Sequence, residues 1–448
     1  MRPTRAPTRT RTARKTTRPA RPRSPYPRKP GQWLLLCALA AAILVGLVLR
    51  TSHLADVTSR SPDERAYTYY AGRIADGGLG VTPALFREYE SDSRMWSYPV
   101  PNRITYVLLT AVAMKIGGGR DASAGVAVSC LFSCLSLVLL AWMGVRFFNR
   151  WIALAAVTFQ AFSMCELAMA QRAWQDATFG FFGLLLLCAT FEVTRQPRRI
   201  SLYAAFFGLG ALSMLTKQTG VITYALCALW IIWRLLAKER SWKRTALVVL
   251  GGLASIALCI GAWSILAGST GVALSALNHS LHPGEAGRAY VEAVSSGPWH
   301  QFPYLLWIVS PLTALLTVVG LAVAIVSNRL LEKVGCAPVI PDACAAGCAA
   351  LTTLGFVAFA SFVPGMQNLR YICPASGAYC LLAGLGLWYL VSLARQSLPA
   401  TAARTVFLLA VVAVVIGAVR DYRAFSSVVV ASGMQDLPVA WIRKQMGH

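Results

Sequence analysis

The sequence predicts an all-α polytopic membrane protein, with about eleven transmembrane helices plus juxtamembrane helices in a first external loop. Three observations carry that expectation. Of 448 residues, 56% are hydrophobic and only 13% charged. The apolar residues fall in long uncharged runs, and a bilayer-spanning helix needs roughly 20 of them. The charge is also segregated: 42 Lys+Arg against 18 Asp+Glu give a formal net charge of +24, and the excess gathers at the front and in alternate loops. A soluble protein with a single core is excluded.

Residues 1–30 hold eleven basic residues, from Arg2 to Lys29, and the first acid of the chain is Asp56. Interleaved Pro and Thr leave nothing to bury, so this segment is expected to be a disordered basic cytoplasmic tail. Beside a span, such a tail is a retention signal attracted to anionic lipid, so no nucleic-acid partner is expected. The run Trp33 to Leu49 is longer than a signal-peptide core and lacks a cleavage site after it, which makes it an uncleaved anchor.

Further spans are expected at about 123–145, 151–169, 177–191, 201–215, 220–233, 245–267, 304–326, 343–363, 371–393 and 405–420. A shorter apolar piece, about 103–116, reaches only roughly 21 Å at 1.5 Å per residue, against a hydrocarbon core about 30 Å thick. Whether it crosses fixes the side of everything downstream. If it does not, one set of loops collects Arg146, Arg150, Arg195, Arg198, Arg199, Arg234, Lys238, Arg240, Lys243, Arg244, Arg329, Lys333, Arg395 and Arg404. The opposite connections after residue 122, apart from the C-terminal tail, keep only Arg172, Lys217, Arg288 and Arg370. The positive-inside rule then makes the short piece a half-embedded helix, with the N-terminus inside and the C-terminus outside. The membrane domain runs 31–420, with external loops at 51–122 and 268–303 and a short external tail at 421–448.

Most of the twelve cysteines sit inside apolar runs, where they serve as small packing residues. No CxxC pair occurs, and His53, His279, His282, His300 and His448 form no ligand cluster, so no structural metal is expected.

The first external loop opens on Ser61-Pro62-Asp63-Glu64. Ser61 can cap a helix, Pro62 suits its first position and Glu64 completes a capping box, while Gly77-Gly78 ends it. Asp63, Tyr67, Tyr70 and Ile74 share one face of that helix, expected against apolar surroundings. Glu64 has a sufficient role as the capping partner. Asp63 does not need to cap anything and heads the tyrosine face.

Later acids and cations gather on the same side. Asp176 follows Gln171-Arg172-Ala173-Trp174-Gln175 and starts a span, where it either satisfies free N–H groups or serves function. Glu166 precedes it and is expected to pair with Arg172. Lys217 lies between two short spans, either snorkelling or recessed at a site. Arg370-Tyr371 opens a later span, as an interfacial anchor or a ligand. Carboxylates suit proton transfer or acceptor positioning, and cations near lipid suit a phosphate.

These residues together resemble a known family. Ser61-Pro62-Asp63-Glu64-Arg65-Ala66-Tyr67, followed by Arg73 and Gly77-Gly78, is similar to the Pro-Asp-Glu loop of GT-C superfamily membrane glycosyltransferases. The branch is that of the lipid A aminoarabinose transferases and protein O-mannosyltransferases. Tyr98-Pro99-Val100-Pro101, Arg172 to Asp176, Gly210 to Lys217, and Arg370-Tyr371 with Pro374 resemble further motifs of that branch, in the same order. The likeness covers about residues 33–395 and departs at Pro99, which no Glu-Lys precedes. The aminoarabinose donor is therefore not carried over.

The resemblance implies a GT-C-like fold and inverting transfer of a sugar from a polyprenyl-phosphate donor to a glycan, lipid or protein acceptor at the outer face. It implies Asp63 as general base and Asp176 as an acceptor-orienting group. Lys217 and Arg370, with Arg172 as a weaker candidate, would stabilise the departing lipid phosphate; Glu64, Tyr67 and Tyr371 complete the expected substrate contacts. No cofactor is required by this reading, although some relatives use a divalent metal. The rival from another class is a lipid-linked sugar transporter or flippase, which predicts repeated halves and acids near the bilayer midplane. An O-antigen-type polymerase or ligase is the nearest enzymatic rival.

Overall fold

The computed structural model describes residues 31–54, 61–281, 288–289, 291–326 and 342–447. The expected basic tail at 1–30, the loop cations Arg329 and Lys333, and the middle of the second external loop lie outside the described residues. The rest is helical, and the described residues contain no strand beyond one isolated bridge between Asn368 and Pro438.

In chain order the helices are α1 (Gly31–Thr51), α2 (Pro62–Gly77), α3 (Thr82–Ser91), α4 (Ile104–Gly117), α5 (Ser123–Phe147), α6 (Arg150–Phe162) and α7 (Met164–Ala170). They continue as α8 (Asp176–Arg195), α9 (Ile200–Thr216), α10 (Gly220–Arg234), α11 (Trp242–Ala267), α12 (Thr270–Leu281) and α13 (Gln301–Val309). The last are α14 (Pro311–Ile325), α15 (Ala343–Phe362), α16 (Cys373–Ser397), α17 (Ala400–Phe425) and α18 (Val439–Gln445).

Among the described residues, eight helices are long and apolar enough to cross a bilayer, and ten spans result if the bent pairs α6/α7 and α13/α14 each count as one. The pairs bend by 60° and 119°, at Ser163 and Ser310. The eleventh expected span is α9, which at 17 residues is shorter than the ten others, α10 being extended by a π turn to Glu239. Local chemistry sets the helix starts. Asn149 accepts from two backbone N–H groups of α6, Asp342 does the same for α15, and prolines occupy the first turns of α2, α14 and α16.

Small residues let the central helices meet closely, as expected where lipid offers no hydrophobic contrast. A Cβ on Gly320 of α14 would fall 1.9 Å from the Leu382 carbonyl oxygen of α16, and one on Gly386 would fall 2.1 Å from that of Leu316. Any side chain at either position would push these two helices apart.

The short helix α4 does not cross. Arg103, just before it, contacts Tyr67 and Gln218. Tyr106, in its first turn, donates to the Gly125 carbonyl at the start of α5, 3.1 Å away, and Ser129 of α5 donates to the Trp174 carbonyl. Both ends of α4 therefore stay at one end of the bundle, and the long helices alternate from there as the charge pattern requires. That end gathers residues 61–64, 99–103, 171–176, 216–218 and 367–371. Arg146, Arg195, Arg244 and Arg395 lie at the other, where Arg146 and Arg195 pair with Glu192 and Asp342.

The last long helix continues past residue 420: α17 runs to Phe425 and a π turn carries it to Ala431. The chain then folds back over the site end. Leu369 donates its N–H to the Leu437 carbonyl at 2.9 Å and Val439 to that of Gln367 at 3.1 Å. Leu437, Val439 and Ile442 are buried, so this tail is part of the folded core of that end.

Candidate active site

Helix α2 forms as its sequence dictates. Ser61 accepts from the Glu64 N–H while Glu64 accepts from the Ser61 N–H at 2.8 Å, and Gly78 ends the helix at φ 69°. Tyr67, Tyr70 and Ile74 are buried together against α4, with Tyr70 donating to the Pro99 carbonyl. Burial pushes the Tyr67 phenol well above the ordinary tyrosine range, opposed in part by the charge of Arg103. Tyr67 is thus a neutral hydroxyl that accepts a hydrogen bond from Arg103.

Glu64 has more partners than its cap. Arg172 donates to it at 2.7 Å and the Ala173 N–H at 2.8 Å, and both charged side chains are 0% exposed. Arg172 also donates to the carbonyls of Met434 and Gln435. The sequence reading placed Glu64 and Arg172 at the substrate. In the structure they are a buried pair, a clamp joining α2, the α7–α8 turn and the C-terminal tail. Glu166, expected beside Arg172, faces the other way: it accepts from Ser376 and lies 4.0 Å from the fully buried Arg50.

The remaining ionisable groups converge on Arg370. This residue sits in a one-turn 3₁₀ helix, capped by Asn368, just before α16. Its guanidinium lies 3.1 Å from Asp63 Oδ2, 3.6 Å from Asp176 Oδ2 and 2.9 Å from Asp436 Oδ1, with Trp174 stacked beneath it at 4.7 Å. Asp176 opens α8 but does not cap it; Lys217 donates to its Oδ1 at 2.7 Å. Lys217 is not snorkelling: it is buried at the end of α9, its ammonium 4.5 Å from the centre of the Tyr371 ring. Asp63, Asp176, Lys217, Arg370 and Tyr371 therefore form one cluster, brought from four separate stretches of chain.

The three carboxylates of this cluster differ in access. Asp176 is 2% exposed, with Oδ1 held by Lys217 and Oδ2 facing Arg370. Asp436 is held by Arg370, Asn368 and its neighbour's N–H. Asp63 is 27% exposed and contacts Arg370 through Oδ2. The arrangement leaves Asp63 Oδ1 as the carboxylate oxygen best placed to meet an incoming group. Among the described residues, no three His, Cys, Asp or Glu side chains converge as metal ligands.

Sequence reasoning missed Asp436 and Arg103. Asp436 lies in a stretch, Gly433-Met434-Gln435-Asp436-Leu437-Pro438, that carries no helical or capping pattern pointing at a site. Arg103 follows the Pro99–Pro101 element, and its position before a short apolar helix was the available signal.

No family model matches the sequence, and no curated protein matches it. Solved structures do match. ArnT from Cupriavidus metallidurans in the apo state aligns over 93% of this chain and 75% of its own, at 17% identity and TM-score 0.50. The same protein bound to undecaprenyl phosphate aligns at 18% identity and TM-score 0.50, with the same coverage. The archaeal oligosaccharyltransferase AglB from Archaeoglobus fulgidus, in complex with an inhibitory peptide and a dolichol-phosphate, aligns over 91% of this chain at 11% identity and TM-score 0.58. This chain spans 56% of the AglB chain. Another AglB structure is a complex with zinc and sulfate. The chain shares the polytopic all-helical fold of these solved structures.

Proposed function

We propose that the protein is an inverting membrane glycosyltransferase, moving a sugar from a polyprenyl-phosphate carrier to an acceptor hydroxyl at the outer face. The observation that carries this reading is the joint around Arg370, where a partly exposed carboxylate meets a buried lysine and a mostly buried arginine at one end of a GT-C-like fold. In the reaction the acceptor oxygen forms a bond to the anomeric carbon as the bond from that carbon to the phosphate oxygen breaks. Asp63 takes the acceptor proton through Oδ1. The negative charge left on the polyprenyl phosphate develops beside Lys217 and Arg370, where fixed cations are most effective because they need not reorganise. Tyr371 and Trp174 form the walls beside those cations, and Asp176 keeps them in register.

Donor binding on this reading has a local cost. Asp436 faces the Nε/Nη2 edge of Arg370 as a phosphate would, and the cluster as folded has three carboxylates for two cations. The donor phosphate takes that edge and the tail carboxylate yields it. On this reading Lys217 and Arg370 supply the positive charge beside the phosphate, so the step as drawn requires no metal. The chain orientation follows from the charge pattern: the end with Arg146, Arg195 and Arg244 faces the cytoplasm, so the N-terminus is inside and the site outside.

The test is sugar transfer in proteoliposomes supplied with polyprenyl-phosphate sugars and an envelope-derived acceptor fraction. Asp63→Asn is expected to lower turnover roughly 10²–10⁴-fold, the usual weight of a general base, with its elution profile on sizing unchanged. Near-normal turnover by that variant would remove Asp63 from the mechanism.

A further inference from the structure

The end of the bundle away from the carboxylate cluster carries a second feature, which the transfer reaction does not use. Helices α6 and α16 touch there, since a Cβ on Gly384 would lie 2.7 Å from the Ile152 carbonyl oxygen. Helix α17 packs beside both but is largely outward-facing, with only 11% of its apolar segment buried inside the protein. Between the three runs a groove of about 240 Å³, lined by Trp151, Leu154, Leu387, Trp388, Phe407 and Val414 among others. Its polar members are Thr158 and Arg395, and the Thr158 hydroxyl is spent on the Leu154 carbonyl at 2.9 Å.

The mouth of the groove is basic. The Arg395 guanidinium lies 5.7 Å from the centre of the Phe407 ring, and Trp151 meets the same ring edge-on at 5.7 Å. Arg404 lies one turn before Phe407 on the same face of α17, and Arg150 directly precedes Trp151. The nearby acids are engaged elsewhere, Glu192 with Arg146, Asp342 with Arg195 and Glu239 with Arg244. Arg150, Arg395 and Arg404 thus face the membrane surface without a carboxylate among the described residues.

We propose that this groove binds an anionic glycerophospholipid of the surrounding bilayer, one acyl chain lying along it and the phosphate held by Arg395 and Arg404. In a membrane, lipid is the most abundant molecule able to fill an apolar groove between transmembrane helices, and the basic mouth favours an anionic one. Tails alone do not select, because lipid tails are as apolar as the leucines around them. Selection comes from the headgroup, and basic pockets between transmembrane helices recognise anionic ones. The Trp151 and Trp388 rings suit the boundary between tail and headgroup. A polyprenyl phosphate is the less favoured occupant, because the groove lies at the opposite end of the bundle from the cation cluster. This inference does not rest on the transferase reading.

The test uses the full chain in nanodiscs of phosphatidylcholine containing a minor share of phosphatidylglycerol, followed by native mass spectrometry of the released protein. Wild type is expected to retain phosphatidylglycerol, and the Arg395→Gln/Arg404→Gln variant to retain it roughly 30-fold less, the weight of two cations at a membrane surface. Brominated phosphatidylglycerol should quench wild-type fluorescence more than that of Trp151→Phe/Trp388→Phe. Val414→Trp should fill the groove and displace the lipid; if that variant does not fold, the arginine and tryptophan variants decide alone. Equal retention by the arginine variant, equal retention of both phospholipids, or a polyprenyl phosphate bound in their place overturns the proposal.

Discussion

The two ends of this bundle use the same residue types in opposite ways. At the site end Arg172 and Lys217 are buried and Arg370 is 12% exposed, and each lies within 2.7–3.1 Å of a carboxylate. At the other end Arg198, Arg199 and Arg240 are exposed, and their positions matter only through which side of a membrane they mark. Cations at the first end are held against a desolvation cost by partners from distant segments, and removal of one partner strands the other. At the second end the charges are partly exposed, and water and lipid headgroups share in solvating even those that pair, such as Arg146 with Glu192. Position in the chain does not separate the two groups, since both sit at the ends of spans. Burial does.

That contrast is broken most severely at the clamp. Glu64→Ala leaves Arg172 buried without its carboxylate, and loss of one member of a buried pair costs about 3–5 kcal/mol. Because Arg172 also holds the Met434 and Gln435 carbonyls, the variant is expected to release the C-terminal tail to limited proteolysis at the site end and to lose activity with it. A tail as resistant as wild type would show the clamp to be dispensable. Next in size is Arg370→Gln, which removes the cation shared by Asp63, Asp176 and Asp436. A fall in turnover of roughly 10²–10³-fold is expected, the weight of one preorganised charge-stabilising group. Unchanged donor kinetics in that variant would take the leaving phosphate away from Arg370.

How much of this was legible beforehand follows from what each feature depends on. Spans, their alternation and the capped start of α2 depend on short stretches of chain, and the runs of apolar residues and Ser61-Pro62-Asp63-Glu64 announce them. The grouping of Asp63, Asp176, Lys217 and Arg370 on one side followed from counting spans once α4 was left out of the bilayer. The partnerships did not follow. Glu64 joins Arg172, and Glu166 joins Ser376 near Arg50, through contacts more than a hundred residues apart, which no local pattern encodes. Asp436 was invisible because a carboxylate after the last span looks like ordinary solvated tail. Only the backbone bonds between 367–369 and 437–439 bring it to Arg370.

Asp436 gives a smaller and more discriminating measurement. If its carboxylate competes with the donor phosphate for one edge of Arg370, Asp436→Asn weakens the competitor while keeping the Asn368 and Leu437 contacts in shape. The donor KM is then expected to fall several-fold, within the roughly 0.5–3 kcal/mol range of contacting groups, with kcat little changed. A raised KM would instead make Asp436 a support that orients Arg370. The smallest effect is expected at the opposite end. Arg198→Gln/Arg199→Gln removes two exposed charges from the turn between α8 and α9, where the nearest recorded partner is the Ser201 hydroxyl, 3.2 Å from Arg199. Exposed ionic contacts of this kind contribute about 0–1 kcal/mol, and many loops still mark the same side. Turnover within about twofold of wild type is therefore expected, with the sidedness of a cysteine placed at Arg240 unchanged to membrane-impermeant label. A large loss of activity from that pair would mean that the basic end shapes the reaction as well as the orientation, and the division between the two ends would have to be redrawn.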